Sequence, residues 1–399
     1  MKINPLVPLI LGALWYPVLS VNGASFIYHF IYLVVLGAKI TSNQNPKIKR
    51  DVSILAIILF FMFAIIKILS DNDFPFNDLK NMITLLFIFL TSTIFIMPSI
   101  IKNNEYRFNG SKTIFFIFYL NFLISITDAS NLTQVGSLLI GVEGYRIIGI
   151  FGGTSYGGFA AAILTIYCIT YSKNSFRKSL VLLLGGIAIG LTGSRSAFLG
   201  LLIFVFLTMN VSWVKRIILL LFFGGILILL GDKFQAINNI PLLFKIDYIG
   251  LMKTDFSTLQ SIDHFTSSLL DDLFADGQAG SAKKRIGLVY FSILSILSGT
   301  NILDFGLWGY GFHNSFLTIW VVLGFIPFLL FIIPFYIAIR FSLKLFKNYN
   351  LTLIKVFFAS VTFSVLIHIF FMDDIGNRFV WSLFLPSIAY FTQSAQDTS

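Results

Sequence analysis

Four arginines and one histidine are the residues of this chain best suited to chemistry on a phosphate-bearing substrate. Arg146, Arg195, Arg285 and Arg378 each occur near the end of an apolar segment or in a long polar interval, and His313 follows a glycine-rich run. A guanidinium group keeps its charge at any working pH and binds phosphate oxygens in pairs. A histidine can accept a proton near neutral pH. Together these residue types suit a site that binds a pyrophosphate and deprotonates a hydroxyl group.

Structural explanations compete with each of these assignments. Any one of the arginines could instead pair with an acidic residue such as Glu143 or Asp373, or extend to lipid headgroups. The other histidines are weaker candidates for a base. His29 and His368 lie in apolar segments, where a structural role is expected, and His264 lies on the polar side of an amphipathic segment.

Arg195 is the strongest candidate among the arginines. The polar stretch Thr192-Gly-Ser-Arg195 interrupts two apolar runs with almost no room for a loop, and few acidic residues lie near it in the sequence. An arginine at the edge of a membrane is costly unless it is paired or solvated, so its presence there favours a function. We therefore expect a tight turn that presents Arg195 at one end of a helical bundle.

The elements that position these residues are predicted to be membrane-spanning helices. The chain has 399 residues, of which 57% are hydrophobic and 12% are charged, and its mean hydropathy is +0.87. Soluble domains carry about 25% charged residues, and apolar runs near the ~20 residues that cross a bilayer recur along the chain. The predicted fold class is all-α, a polytopic transmembrane bundle of about twelve spans. The predicted spans cover approximately residues 5–20, 23–40, 52–69, 81–100, 113–127, 151–172, 179–194, 196–212, 217–231, 314–339, 356–371 and 379–393.

Basic residues set the predicted orientation of these spans. With the N-terminus in the cytoplasm, alternation places most of the lysines in cytoplasmic segments, together with Arg50, Arg107, Arg177, Arg216 and Arg340. This arrangement follows the positive-inside rule. Both termini are then cytoplasmic, and the candidate arginines and the candidate histidine lie on the outer side. The net charge of +10 is explained by this orientation and requires no nucleic-acid partner.

The domain organisation is predicted to be a single membrane domain, 1–399, with one large periplasmic loop, 232–313. Within the loop, Ser257–Gln260 is a capping-box pattern, and the apolar residues behind it recur at the spacing of an amphipathic helix. A second helix is expected to start near Ser281 and to carry Arg285 in its first turn. The loop therefore supplies one part of the candidate site, and the turns between spans supply the rest.

The sequence contains no pattern for a bound nucleotide or metal. It has no P-loop, no dinucleotide fingerprint and no cluster of metal-ligand residues. The pairs Asp271-Asp272 and Asp373-Asp374 could hold a divalent cation, but adjacent carboxylates in an outer loop are more often solvated. We therefore expect no metal and no cofactor, and a reaction that uses neither ATP nor a nucleotide sugar.

Several short motifs follow one another in a characteristic order. Thr192-Gly-Ser-Arg-Ser-Ala-Phe-Leu199 at the tight turn precedes the outer loop, which ends in Gly309-Tyr-Gly-Phe-His-Asn-Ser-Phe-Leu317, with Gly324 on the next span. Tyr145-Arg-Ile-Ile-Gly149 and Asp374-Ile-Gly-Asn-Arg378 flank these two motifs. Together they resemble the O-antigen polymerase and O-antigen ligase superfamily. The resemblance covers about residues 140–380, and the first five spans match only by hydropathy.

The resemblance implies transfer of a glycan from an undecaprenyl-pyrophosphate carrier at the periplasmic face of the bacterial inner membrane, without nucleotide or metal. Arg195 and Arg285 would bind the pyrophosphate, and Arg146 and Arg378 would support the polar cavity. His313 would take the proton from the acceptor hydroxyl, with inversion at the anomeric carbon. The expected partners are the lipid-linked oligosaccharide, membrane lipid and a chain-length regulator protein.

Three alternatives remain open at this point. Ligases of this superfamily often carry an acidic residue soon after the His-Asn pair, and Ser315–Trp320 contains none, so a polymerase of O-antigen or capsule repeats is favoured over the ligase that transfers glycan to lipid A core. A polysaccharide or lipid transporter or flippase is the alternative from another class, although the sequence shows no convincing internal repeat. A purely structural protein would leave the one-sided arginines unexplained.

Overall fold

The computed structural model describes residues 52–70, 76–91, 112–130, 132–135, 138, 149–151, 154–208, 218, 315–347, 353–371, 384–385 and 387–388. The first two predicted spans and the predicted outer loop, 232–313, lie outside these residues. Within the described ranges every regular element is a helix, so the all-α prediction is confirmed for this part of the chain.

The described helices are, in chain order, α1 (Val52–Leu69), α2 (Phe76–Thr91), α3 (Lys112–Ala129), α4 (Thr154–Tyr171), α5 (Ser175–Thr192), α6 (Arg195–Thr208), α7 (315–323), α8 (Phe325–Lys347) and α9 (Leu353–Phe371). Helix α7 begins as an α-helical turn, Ser315–Thr318, and continues as a π-helical segment, Ile319–Leu323. A 3-10 turn, Gly149–Phe151, precedes α4.

Apolar residues cover both faces of α1. Its buried face includes Ile54, Ile57, Phe61, Ala64 and Ile68, and its exposed face includes Leu55, Leu59, Met62, Ile66 and Leu69. A helix that is hydrophobic all round belongs in a large core or in a membrane. Three described helices are also long and apolar enough to cross a bilayer, over Lys112–Ala129, Ser175–Thr192 and Phe325–Leu343. These features indicate association with a membrane.

Helix α4 is the centre of the described bundle. Its residues are buried from Gly157 to Tyr171, and it contacts α3, α5, α6 and α9. The small residues Ala160–Ala162 are almost completely buried within it. Lipid tails are as apolar as leucine, so helices in a membrane associate largely through close packing, which small residues permit. The sequence of α4 therefore suits a helix surrounded by others.

Helix α5 lies antiparallel to α4 at close range. Gly185 of α5 packs against Thr165, whereas Gly158, near the start of α4, packs against Ser194 just beyond the end of α5. A Cβ atom added at either glycine would overlap the side chain that the glycine faces. These two contacts fix the register of α5 on α4.

Helix α9 also runs antiparallel to α4. Near the end of α9, the His368 ring lies with its centroid 4.7 Å from that of Phe159 at the start of α4. Toward the other end, the Tyr167 and Phe357 rings meet edge to face at 5.6 Å. The start of α4, the α5–α6 turn and the end of α9 therefore lie at one end of the bundle.

The opposite end of α5 is anchored by a cap and a cation–π contact. The side chain of Asn174 accepts a hydrogen bond of 2.9 Å from the N–H of Phe176, a typical N-cap for a helix. Within the first turn of α5, the guanidinium carbon of Arg177 lies 4.3 Å from the ring centroid of Phe115 on α3. The sequence analysis explains Arg177 only by the orientation of the spans in the membrane, but this residue also joins α5 to α3.

The prediction of one continuous span over 314–339 is wrong. The chain reverses at Gly324, which has φ 96° and ψ 178°, and α7 folds back along α8. The Trp320 ring stacks on that of Phe328 with centroids 4.5 Å apart, and the Phe316 ring lies 5.6 Å from that of Phe331. In both pairs, a residue before Gly324 contacts a residue after it, and the second pair lies farther from Gly324 along the chain. This pattern is typical of an antiparallel helical hairpin.

Glycine is the physical reason for this reversal. The backbone conformation of Gly324 is one that residues with a side chain rarely adopt. Hydropathy is continuous across the hairpin, so it does not reveal the break. The Phe316 ring also lies 5.6 Å from that of Phe335, so α7 starts beside the middle of the apolar stretch Phe325–Leu343.

The hairpin predicts a specific cross-link. With Phe316 and Phe331 replaced by cysteine in a Cys168→Ala background, which removes the only native cysteine, a short bifunctional thiol reagent should join the two positions. In a continuous helix they would be about 22 Å apart and could not be joined. The cross-link is detected by mass spectrometry of the digested protein, as a linked pair of peptides. Cysteines at Phe316 and Phe341 serve as the control pair, and equal cross-linking of both pairs would contradict the hairpin.

Candidate active site at the turn between α5 and α6

A two-residue turn separates α5 from α6, as the sequence predicts. Helix α5 ends at Thr192, and Gly193 follows in the left-handed conformation, φ 68° and ψ 16°, with its N–H donating to the carbonyl oxygen of Gly190 at 3.0 Å. Open space surrounds the position where a Cβ of Gly193 would lie, so the backbone conformation and not crowding favours glycine there. Helix α6 then begins at Arg195.

Hydrogen bonds within the turn compensate the burial of its polar groups. The Thr192 hydroxyl donates to the Ile189 carbonyl oxygen at 2.7 Å and accepts from the N–H of Ser194 at 3.3 Å. The Ser194 carbonyl oxygen accepts from the N–H of Phe198 at 3.1 Å, which closes the first turn of α6. Thr192 and Ser194 are both buried. An unpaired polar group would be costly at such a position, so these bonds give the turn a defined shape.

The turn is held against α4 by Gly158. The Cβ of Ser194 and the hydroxyl of Thr192 lie where a Cβ of Gly158 would be. Any larger residue at 158 would push the turn away from the bundle. The start of α6 therefore has a fixed position relative to the start of α4.

The start of α6 combines two sources of positive potential. Arg195 is its first residue, and the N–H groups of the first helical turn have no partner within the helix and carry the positive end of the helix dipole. An arginine at this end is repelled by the dipole, whereas an anion is attracted by both. The first turn of a helix that begins with an arginine is an arrangement that can bind an anion such as a phosphate group.

The backbone that follows the Arg146 motif makes a buried hydrogen bond that the sequence does not predict. The side-chain oxygen of Asn121 on α3 accepts a hydrogen bond of 3.2 Å from the N–H of Ile150. Gly149, with φ 63°, lets the backbone approach α3 so closely that a Cβ there would lie 2.6 Å from that oxygen. Arg146 itself lies outside the described residues. Its motif ends at Gly149, so Asn121 anchors the backbone that follows it.

A second long-range contact joins the α5–α6 turn to α9. Nδ1 of His368 lies 3.1 Å from the hydroxyl oxygen of Ser196, the residue after Arg195. Both residues are buried. One signal for this contact is present in the sequence, since a histidine in an apolar span is costly without a partner. The partner itself could not be identified from the sequence.

The other predicted site residues are not brought together by the described part of the structure. Arg285, His313 and Arg378 lie outside it, and of Arg195 only the backbone position is described. Ser315, which follows the His-Asn pair, is buried at the start of α7, and α7 contacts α9. Among the described residues no group of three or more His, Cys, Asp or Glu side chains could hold a metal ion.

Comparison of the chain with protein-family models, with curated proteins and with solved structures finds no match of any of the three kinds.

Asn121 gives a prediction for stability. Replacement of Asn121 by alanine should destabilise the protein by about 1–3 kcal/mol, because the N–H of Ile150 would remain buried without its acceptor. The measurement is the thermal unfolding midpoint of the detergent-solubilised protein. Ser125→Ala is the matched control one turn along α3, since its buried hydroxyl has no hydrogen-bond partner within the described residues. A midpoint for Asn121→Ala equal to that of Ser125→Ala would contradict the anchoring role.

Proposed function

We propose that this chain is a membrane glycosyltransferase that polymerises O-antigen or capsule repeat units carried on undecaprenyl pyrophosphate. Transfer takes place at the extracytoplasmic face of the bacterial inner membrane and requires neither metal nor cofactor. The observation that carries the proposal is the position of Arg195, at the first residue of a helix behind a short, buried turn. The order of the surrounding motifs supports it, as does the apolar helical bundle.

The start of α6 suits the donor because the pyrophosphate is the part of the substrate that gains charge during transfer. Breaking the bond between the anomeric carbon and the pyrophosphate leaves the electron pair on a phosphate oxygen. A guanidinium group and the positive end of a helix stabilise that charge most strongly when they are already in place. Arg285 is proposed as the second pyrophosphate ligand, and Arg146 and Arg378 as charges that line the same cavity.

His313 completes the proposed reaction as the general base. The hydroxyl oxygen of the acceptor sugar forms a bond to the anomeric carbon of the donor, and His313 takes the hydroxyl proton. The lipid pyrophosphate leaves from the opposite face of the sugar, so the configuration at the anomeric carbon inverts. A well-clamped pyrophosphate is a good leaving group, which is why a single base suffices and no pair of carboxylates is needed.

A specific observation favours one alternative function. The hairpin at Gly324 breaks a hydrophobic stretch, and discontinuous helices are common at the binding sites of transporters. A polysaccharide or lipid transporter is therefore the second candidate. The two functions differ in products, because only the glycosyltransferase consumes lipid-linked repeats and releases lipid pyrophosphate. Purified protein in liposomes with lipid-linked repeat units distinguishes them directly.

Loss of the gene product is expected to have a diagnostic phenotype. Without a polymerase, the lipid A core should carry a single repeat unit, whereas without a ligase the core should be bare. The length distribution of surface glycan on a gel measures the difference. A normal ladder in the deletion strain would contradict both enzymatic assignments, and normal-length glycan retained inside the cell would favour transport.

His313→Ala should lower the rate of transfer by at least about 100-fold, because general-base catalysis contributes about 10²–10⁴-fold to such reactions. The rate is measured as lipid pyrophosphate released by the purified protein. His264→Ala is the control within the same predicted loop and should retain the wild-type rate. A His313→Ala variant with a normal rate would exclude this residue as the base.

A further inference from the structure

His368 is a polar side chain in an otherwise apolar environment. It lies in α9 and has 0% of its surface exposed. The Phe159 ring packs on it at 4.7 Å and the Tyr156 ring lies at 6.1 Å, centroid to centroid. Its Nδ1 is 3.1 Å from the hydroxyl oxygen of Ser196, a residue 172 positions away in the chain. Burial of a histidine in a membrane bundle is costly, so a role beyond filling space is expected.

The position of Ser196 indicates what that role is. Ser196 follows Arg195 within the first turn of α6, and its hydroxyl is the group that reaches α9. One turn later, Gly200 packs directly on Ser364, so α6 and α9 approach each other closely along this face. On the other side, Ser194 packs on Gly158 of α4. The backbone that carries Arg195 is thus fixed between two helices.

We propose that His368 is a positioning residue for glycosyl transfer, which orients the start of α6 and hence Arg195 through its hydrogen bond to Ser196. The proposal rests on the function proposed above. A guanidinium that binds two phosphate oxygens must be held within about 0.5 Å and 10–20° of the productive geometry. A misplacement of about 1 Å can cost about 100-fold in rate. Because α9 is packed against both α4 and α6, it is well placed to supply that precision.

The geometry of the contact selects the substitutions that test it. Asparagine can place a polar atom close to the position of Nδ1, so His368→Asn should keep the bond to Ser196. In glutamine the amide lies one carbon farther out, so His368→Gln should lose it, and His368→Phe keeps the aromatic packing without the bond. Ser196→Ala removes the partner. Ser360→Ala is the matched control on α9, since the Ser360 hydroxyl donates to the Val356 carbonyl of its own helix at 2.7 Å.

The kinetic experiment measures lipid pyrophosphate released by purified protein at varied donor concentration. Ser196→Ala, His368→Gln and His368→Phe should each lower kcat about 10- to 100-fold, whereas His368→Asn should recover most of the rate and Ser360→Ala should match the wild type. The double variant Ser196→Ala/His368→Phe should be no slower than the slower single variant, because both changes remove one interaction. Independent losses that multiply in the double variant would overturn the proposal.

A second measurement separates positioning from a purely structural role. Amide hydrogen exchange of the folded protein should speed up in the first turn of α6 in Ser196→Ala and His368→Phe, with little change in α1 or α8. Unfolding midpoints close to the wild-type value should accompany the loss of rate. A loss of rate that instead follows a lower midpoint in every variant would make His368 only a packing residue.

The kinetic experiment also distinguishes failure of the proposed function from failure of the positioning role. If the wild-type protein releases no lipid pyrophosphate, both glycosyl transfer and the positioning role in that reaction are excluded. If the wild type is active and the His368 variants transfer glycan at the wild-type rate, only the positioning role is excluded.

Discussion

The close approach of helix backbones around α4 is the constraint on which the rest of the described structure depends. Gly158 and Gly185 bring α4 and α5 into direct contact, and Gly200 does the same for α6 and α9. In a membrane the hydrophobic effect does not hold helices together, so complementary packing must do so. Once these contacts are made, the α5–α6 turn has a single available position. Its polar groups can then bond to one another and to α9 without lipid or solvent.

The sequence predicts local features well and long-range features poorly. Continuous apolar runs identify the helices, and the polar interruption before Arg195 identifies the tight turn, because both are properties of neighbouring residues. The hairpin at Gly324 was missed because a reversal that needs a positive φ leaves hydropathy unchanged. Asn121 and His368 have partners 29 and 172 residues away. Such pairs depend on how helices pack, which a single sequence does not reveal.

The candidate site also divides into features that the sequence predicts and contacts that only the structure reveals. Residue chemistry and order single out Arg146, Arg195, Arg285, Arg378 and His313, and this choice comes from residue type and resemblance. What the described residues add is the support around one of them: a left-handed glycine, a buried turn and a histidine on a neighbouring helix. This support fixes the backbone at the residue from which the arginine side chain extends. An arginine on a flexible loop would lose more conformational entropy on binding an anion.

The start of α7 has a consequence for the polar groups of its backbone. Ser315 begins this helix beside the middle of an apolar stretch long enough to cross the membrane. The first turn of any helix has N–H groups without partners in the helix, and hydrocarbon cannot satisfy them. Backbone that begins at such a depth is tolerated only where protein surrounds it or water penetrates. Ser315 has 0% of its surface exposed, so protein surrounds the start of this helix, and the bundle itself must supply the polar partners that the membrane interior lacks.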